Sequence, residues 1–252
     1  MQNESLQKTI ASLRELYGPR NKMYMRGEGA IFQLHRHFME LNNEVFRKGA
    51  PRKQYQASRL AGLFAITIAY ADSFGDIPVV EALCRKYPQG LCSYCRKNPC
   101  GCAKVRDKSL GQPNISTASA EQMNWSINDF VKNLDALYGQ NNRDRGIEWA
   151  FLRLVSEIHE AEHAHMSEEM HNPDFSLDER SLRLAKEFAD ALAWIFAISA
   201  MLEIDLGAEV RKRYGGNCHR CGQRPCKCGP YNVYTIRALP DGDDAAQTVT
   251  ET

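Results

Sequence analysis

Four carboxylates stand at paired spacing in the second half of the sequence, in Glu157-Ile-His-Glu160 and Glu187-Phe-Ala-Asp190. An i, i+3 spacing puts both members of each pair on one helix face. Leu154, Val155, Ile158 and Ala161 surround the first pair; Phe188, Ala189, Ala191, Leu192, Trp194 and Ile195 surround the second. Two such helices packed antiparallel would gather four like charges beside an apolar core. That is costly unless a cation neutralises them. Oxygen ligands of this kind suit a hard ion, Mg²⁺ or Mn²⁺, and such ions typically act on phosphate substrates. The competing reading is two amphipathic helices with their acids in solvent.

Cysteine supplies the second chemistry. Eight of the nine cysteines form two sets, Cys92, Cys95, Cys100, Cys102 and Cys218, Cys221, Cys226, Cys228, each spaced Cys-x2-Cys-x4-Cys-x-Cys. Four thiolates so close in sequence can close a tetrahedral site locally. Zinc is favoured over an iron–sulfur cluster. With no open position on the metal, each site is expected to be a structural staple. Arg96, Lys97, Arg220, Arg224 and Lys227 make both knuckles basic; contact with nucleic acid is conceivable but not favoured. Cys84, left over, is read as a small buried apolar residue.

These motifs belong to an internal repeat. Residues 5–21 read SLQKTIASLRELYGPRN and residues 126–142 read SINDFVKNLDALYGQNN, sharing Leu-Tyr-Gly at one offset. Residues 85–102 read RKYPQGLCSYCRKNPCGC and residues 211–228 read RKRYGGNCHRCGQRPCKC, both with a basic stretch and a tyrosine before the cysteines. Apolar spacing of three and four predicts helices near 3–17, 25–47, 55–74 and 78–87, then near 126–138, 145–171, 178–202 and 205–214. Ser176 with Glu179 reads as a capping box. The polar segment 103–122 reads as a linker, 231–239 as a short strand, and the acidic end after Pro240 as disordered. The expected fold is all-α, divided as 1–102, linker 103–122, 123–229 and tail 230–252.

Glu-x-x-Glu, 26 intervening residues and Glu-x-x-Asp resembles the arrangement of the MazG-like all-α nucleotide pyrophosphohydrolases. The stretch LAKEFADALAWIFAISAMLEIDLGAEVRKRYGGNC is similar to that family from the acidic helix through the Leu-x-Ile-Asp-Leu turn, and some members continue into a comparable cysteine tail. The likeness covers about residues 145–228, and 5–102 only through the repeat. It implies Mg²⁺-dependent hydrolysis of an NTP or dNTP to a monophosphate and pyrophosphate, with Glu157, Glu160, Glu187 and Asp190 holding the metal. Family members often carry a further glutamate where this chain has Ser156, which puts metal number or rate in doubt. Arg153, Arg183 and Lys186, about one turn from the acids, either bind phosphate or pair with neighbouring carboxylates. Trp194 either stacks on a base or packs in the core.

Aligning the copies puts His37 and Glu40 at the places of Glu157 and Glu160, and Leu60 and Leu63 at those of Glu187 and Asp190. Leucine cannot ligate a hard cation, so the first copy is expected to hold no such metal. Its segment LAGLFAITIAYA reads as a buried scaffold helix. MazG-like enzymes commonly build sites between subunits, so two tandem MazG-like bundle repeats would make a pseudo-dimer in one chain. Arg36 or Arg59 would then complete the pocket, and a homodimer of the tandem chain stays open.

Two other function classes compete. His159-Glu160-Ala161-Glu162-His163 matches His-Glu-x-x-His, the signature of zinc metallopeptidases, with Glu160 as base. Such enzymes normally bind substrate along a sheet edge, and no sheet is predicted upstream; the favoured reading of His159, His163 and His165 is as solvated side chains. The third class is a non-catalytic nucleotide- or nucleic-acid-binding module. A net charge of +1 over 252 residues gives no global pull toward nucleic acid or an anionic membrane. With 43% apolar and 25% charged residues, a polar N-terminal stretch and no apolar run long enough to span a bilayer, the expectation is a soluble, cytoplasmic protein with no membrane partner.

Overall fold

The computed structural model describes residues 4–24, 28–102, 117–167 and 176–229. The expected strand at 231–239, the tail and most of the linker lie outside them. The described residues hold α1 (Leu6–Tyr24), α2 (Glu28–Val45), α3 (Lys53–Asp72) and α4 (Val79–Lys86). A 3-10 turn, Gln122–Asn124, then leads to α5 (Ile127–Arg145), α6 (Ile147–Met166), α7 (Leu177–Met201) and α8 (Leu206–Tyr214). Among the described residues there is no strand, only one isolated antiparallel bridge between Ser5 and Ser126. No single helix is long and apolar enough to cross a membrane.

The helices follow the apolar spacing. α1 buries Leu6, Ile10, Leu13 and Leu16, and α5 buries Ile127, Phe130, Leu134 and Leu137, both as one inward stripe. Ser126 and Ser176 begin α5 and α7 with capping boxes closed by Asp129 and Glu179. α3 and α7 are buried almost all round and form the centre. Phe64 meets Phe196 at 6.2 Å between ring centroids, and Tyr70 meets Phe188 edge-on at 5.2 Å. α3 packs on α2, α7 and α8, and α7 packs on α3, α4, α5 and α6.

The two halves interlock. α4, from the first half, lies against α7 of the second, while α8 lies against α1 and α3 of the first. The cysteine knuckles cross over in the same way. Cys100 donates its N–H to the Leu137 carbonyl at 2.8 Å, and Cys226 donates to the Leu16 carbonyl at 2.7 Å. Tyr87 meets Tyr138 edge-on, and Tyr214 meets Tyr17 in the same geometry. The shared Leu-Tyr-Gly therefore does not end a helix, as expected at residues 17 and 138; α1 and α5 run on to Tyr24 and Arg145. The leucine carbonyl is a docking acceptor for the other half's knuckle, a role no local signal announces.

Candidate metal centre

In each knuckle the sulfurs already stand at ligand spacing. Cys92 to Cys102, Cys95 to Cys100 and Cys92 to Cys100 measure 3.8, 3.9 and 3.4 Å. Cys218 to Cys228 and Cys221 to Cys226 measure 3.8 and 4.0 Å. Thiolates on one tetrahedral zinc are separated by about 3.8 Å, given a Zn–S bond of about 2.3 Å. All eight cysteines are free of disulfides. Backbone amides point at the sulfurs, as Gly101 N–H does to Cys95 Sγ at 3.3 Å. The amides of Lys227 and Gln223 pull the Cys221 thiol down to about 6, into the range where a thiolate ligand forms readily. Both four-cysteine clusters can bind zinc. Cys84 is wholly buried, and burial pushes its thiol up to about 12.

The acids converge where α6 faces α7. Glu157, Glu187 and Asp190 each offer an oxygen, and these lie within 4.8 Å of one another. Glu157 and Asp190 are 4% and 6% exposed, so two of the three carboxylates have almost no water. Burial, then Asp190 and Glu160, raises Glu157 from 4.5 to about 7, against the pull of Arg153 and Lys86. Glu187 is raised by burial and by Asp190. Glu160 stays outside the trio, exposed, accepting a hydrogen bond from Ser156 Oγ at 3.2 Å. The expected quartet is thus three converging acids with a fourth at the rim.

Two residues that the sequence reading passed over hold Asp190. Lys86 ion-pairs with one carboxylate oxygen, and the Tyr87 hydroxyl donates to the other at 2.7 Å. Burial and the Asp190 charge push the Tyr87 phenol well above its usual range, so it remains a donor. Both residues come from the end of α4, in the first half. Their signal in the sequence is the basic stretch and tyrosine that precede both knuckles. Arg153 binds Glu157 at 2.6 Å.

Beside the acids lies a cavity of about 720 Å³, lined by Lys86, Tyr87, Tyr138, Arg145, Trp149 and Arg153, with Glu157, Glu160, Asp190 and Trp194. Cys92, Ser93, Tyr94, Cys100 and Cys102 form one wall, so the first knuckle belongs to the cavity as well as to the scaffold. Trp194 is half-buried and lines it, with the Arg153 guanidinium 6.0 Å above its ring. Arg183 and Lys186 are not lining residues; Arg183 lies near enough to lower Glu187's proton affinity, and Lys186 is exposed.

The first half differs at the matching place. Arg36 and Arg59 do not reach the cavity; both bind Glu40, at 3.0 and 2.8 Å. Leu60 and Leu63 are wholly buried core residues. Arg59 and Gly62 occupy the relevant face of α3. A Cβ added at Gly62 would lie 3.0 Å from His37 Nδ1 and 3.9 Å from the Tyr214 hydroxyl, the counterpart of Tyr87 on Asp190. Of the His-Glu-x-x-His motif, His159, Glu160 and His163 are exposed, and His163 is outside the ligand clusters found among the described residues.

No protein-family model matches the chain, and no curated protein or solved structure matches it.

Proposed function

We propose that the chain is a MazG-like nucleotide pyrophosphohydrolase folded as a fused pseudo-dimer, with one working centre in its second half. The observation that carries this reading is the convergence of Glu157, Glu187 and Asp190, two of which, Glu157 and Asp190, line a cavity that also holds Lys86 and Arg153. The donor set fits a hard divalent ion: three carboxylates face two protein cations, burial forbids hydration, and the repulsion among them raises the proton affinity of Glu157. Glu157, Glu187 and Asp190 would hold Mg²⁺ or Mn²⁺. When bound, such an ion neutralises phosphate charge and makes a coordinated water more acidic.

The chain's own groups supply the rest. Lys86, Arg145 and Arg153 line the cavity and present positive charge to a polyphosphate. Tyr87 fixes Asp190 by donating to it, leaving the other carboxylate oxygen to Lys86. Trp149 and Trp194, each with an arginine near its ring, offer flat apolar surface to a base. Glu160, which lines the cavity outside the trio, would take the proton of the attacking water. The water oxygen bonds to the α-phosphorus, the α–β bridging bond breaks, and pyrophosphate leaves with the bridging oxygen.

The fused pseudo-dimer reading is supported by the crossed knuckles, by paired edge-on tyrosines, and by α4 of one half completing the centre of the other. A panel of NTPs and dNTPs with Mg²⁺ or Mn²⁺, scored for pyrophosphate, tests the activity, with Glu187→Ala as control. Pyrophosphate released by the wild type and not by the variant is the expected outcome. Orthophosphate as sole product, or equal activity in both proteins, would overturn the mechanism.

A further inference from the structure

A second ligand cluster lies on another face of α6. His35 from α2, with His159 and Glu162 from α6, brings three ligand atoms within 4.8 Å of one another. His35 Nε2 is 2.6 Å from Glu162 Oε1, and the two imidazole centroids are 5.7 Å apart. The Glu162 side chain is 11% exposed and that of His35 is 39% exposed, while His159 is open to solvent. Among the described residues, the one ion-pair partner of Glu162 is this histidine rather than a lysine or arginine. Glu162 is a nearly buried carboxylate paired with an imidazole, and a cation held between it and the two rings would offset the cost of burying its charge.

We propose that His35, His159 and Glu162 bind a borderline divalent cation of the Zn²⁺ class. The donors decide the class. Two imidazole nitrogens and one carboxylate oxygen favour Zn²⁺, Co²⁺ or Ni²⁺, whereas the all-oxygen trio of Glu157, Glu187 and Asp190 favours Mg²⁺. Around a tetrahedral zinc, nitrogen and oxygen ligands stand about 3.3 Å apart, given bonds of about 2.0 Å. Parting His35 and Glu162 by about 0.7 Å, from 2.6 Å, makes that room. Three protein ligands leave a position for water, and the exposed His159 gives the ion a way in. The site sits on the seam between the halves. Farther along the same seam, Phe151 of α6 packs on Phe38 of α2 and on Phe46 just past its end. An ion here ties α2 to α6 and holds the first half against the helix that carries Glu157. This proposal is independent of the hydrolase reading. It also uses only one histidine of His-Glu-x-x-His, so it is not the metallopeptidase arrangement.

The test uses the full chain with both cysteine sites filled with zinc and excess Mg²⁺ present. Zinc is then titrated, and bound metal is counted by elemental analysis. Co²⁺ in place of the added zinc reports the ligands through its visible spectrum. Wild type should take one further equivalent, without sulfur-to-metal charge-transfer bands, and its unfolding temperature should rise. His35→Gln and His159→Gln should each lose that equivalent; His159 is exposed, so its variant keeps the fold even if His35→Gln does not. His163→Gln should retain it. Absence of the extra equivalent in wild type overturns the proposal. So does its survival in the folded His159→Gln protein, or its loss in His163→Gln with retention in His35→Gln, which would mark a histidine pair on α6 alone.

Discussion

The seam between α6 and α7 and the seam between α2 and α3 are built alike and do opposite things with charge. In the second half, Glu157, Glu187 and Asp190 crowd together, and protein cations come from Lys86 and Arg153. In the first, a single acid, Glu40, is clamped by Arg36 and Arg59, and His37 fills the space beside Gly62. One seam gathers three carboxylates against two protein cations, Lys86 and Arg153. The other sets two arginines against one carboxylate and carries an excess of positive charge. Two similar helix pairs can therefore carry opposite charge, because a few side chains decide the charge at the seam.

The largest effect should come from removing one of the three carboxylates. Asp190→Asn should lower pyrophosphate release by about 10²–10³-fold, in line with the loss of a main electrostatic element of a site. The same measurement on Glu40→Gln, in the first-half seam, should show wild-type turnover; a matching loss there would break the contrast.

The next effect crosses between the halves. Lys86→Ala should reduce kcat/KM by about ten- to a hundredfold, as expected for a lost charge-assisted contact. Arg213→Ala, which removes the corresponding cation near Ser58 of α3, should leave turnover unchanged while lowering stability. Steady-state kinetics of the two variants sharpen the comparison, and equal losses would show that the first seam also serves the reaction.

The pH dependence of stability should have opposite signs in the two seams. Burial, with the charges of Arg213, Arg36 and Arg59, lowers His37 from 6.5 to about 4, against the pull of Glu40. The unfolded chain then binds the proton more tightly, so this contribution is present above pH 6.5 and lost as pH falls through about 4. Glu157 is raised from 4.5 to about 7, so its contribution is full below pH 4.5 and lost as pH rises through about 7 in the metal-free protein. Urea midpoints measured across this range should lose their acid limb in His37→Gln and their neutral limb in Glu157→Gln. Mg²⁺ should flatten the neutral limb of wild type alone.

The smallest effect concerns the helix that carries two of the acids. Ser176→Ala should destabilise the protein by about 1 kcal/mol through loss of the α7 cap, read as a lowered urea midpoint. A capping loss that left stability untouched would mean that packing of α7 alone sets its start.

Much of this molecule was legible in the residues. The three-and-four spacing gave the helices, Ser176 with Glu179 gave the start of α7, and the cysteine spacing gave two tetrahedral ligand sets. All of these are local, fixed by residues within a turn or a short loop of each other. The ends of α1 and α5 were not legible: both helices run past the expected ends at residues 17 and 138 to Tyr24 and Arg145, and the other half's knuckle docks on the Leu16 and Leu137 carbonyls, a long-range contact that no local spacing encodes.

The amino-acid order by itself determined which acids could meet, because paired spacing on two helices fixes their faces. It also determined that each cysteine set closes on itself. Only the tertiary structure decided that three acids meet and Glu160 stands aside, that Lys86 and Tyr87 arrive from the other half, and that Arg59 and Gly62 replace the acids in α3. The reason is geometric. Helix periodicity is written in neighbouring residues, whereas register between helices, and the crossing of α4 onto α7, depends on how whole side-chain surfaces fit together.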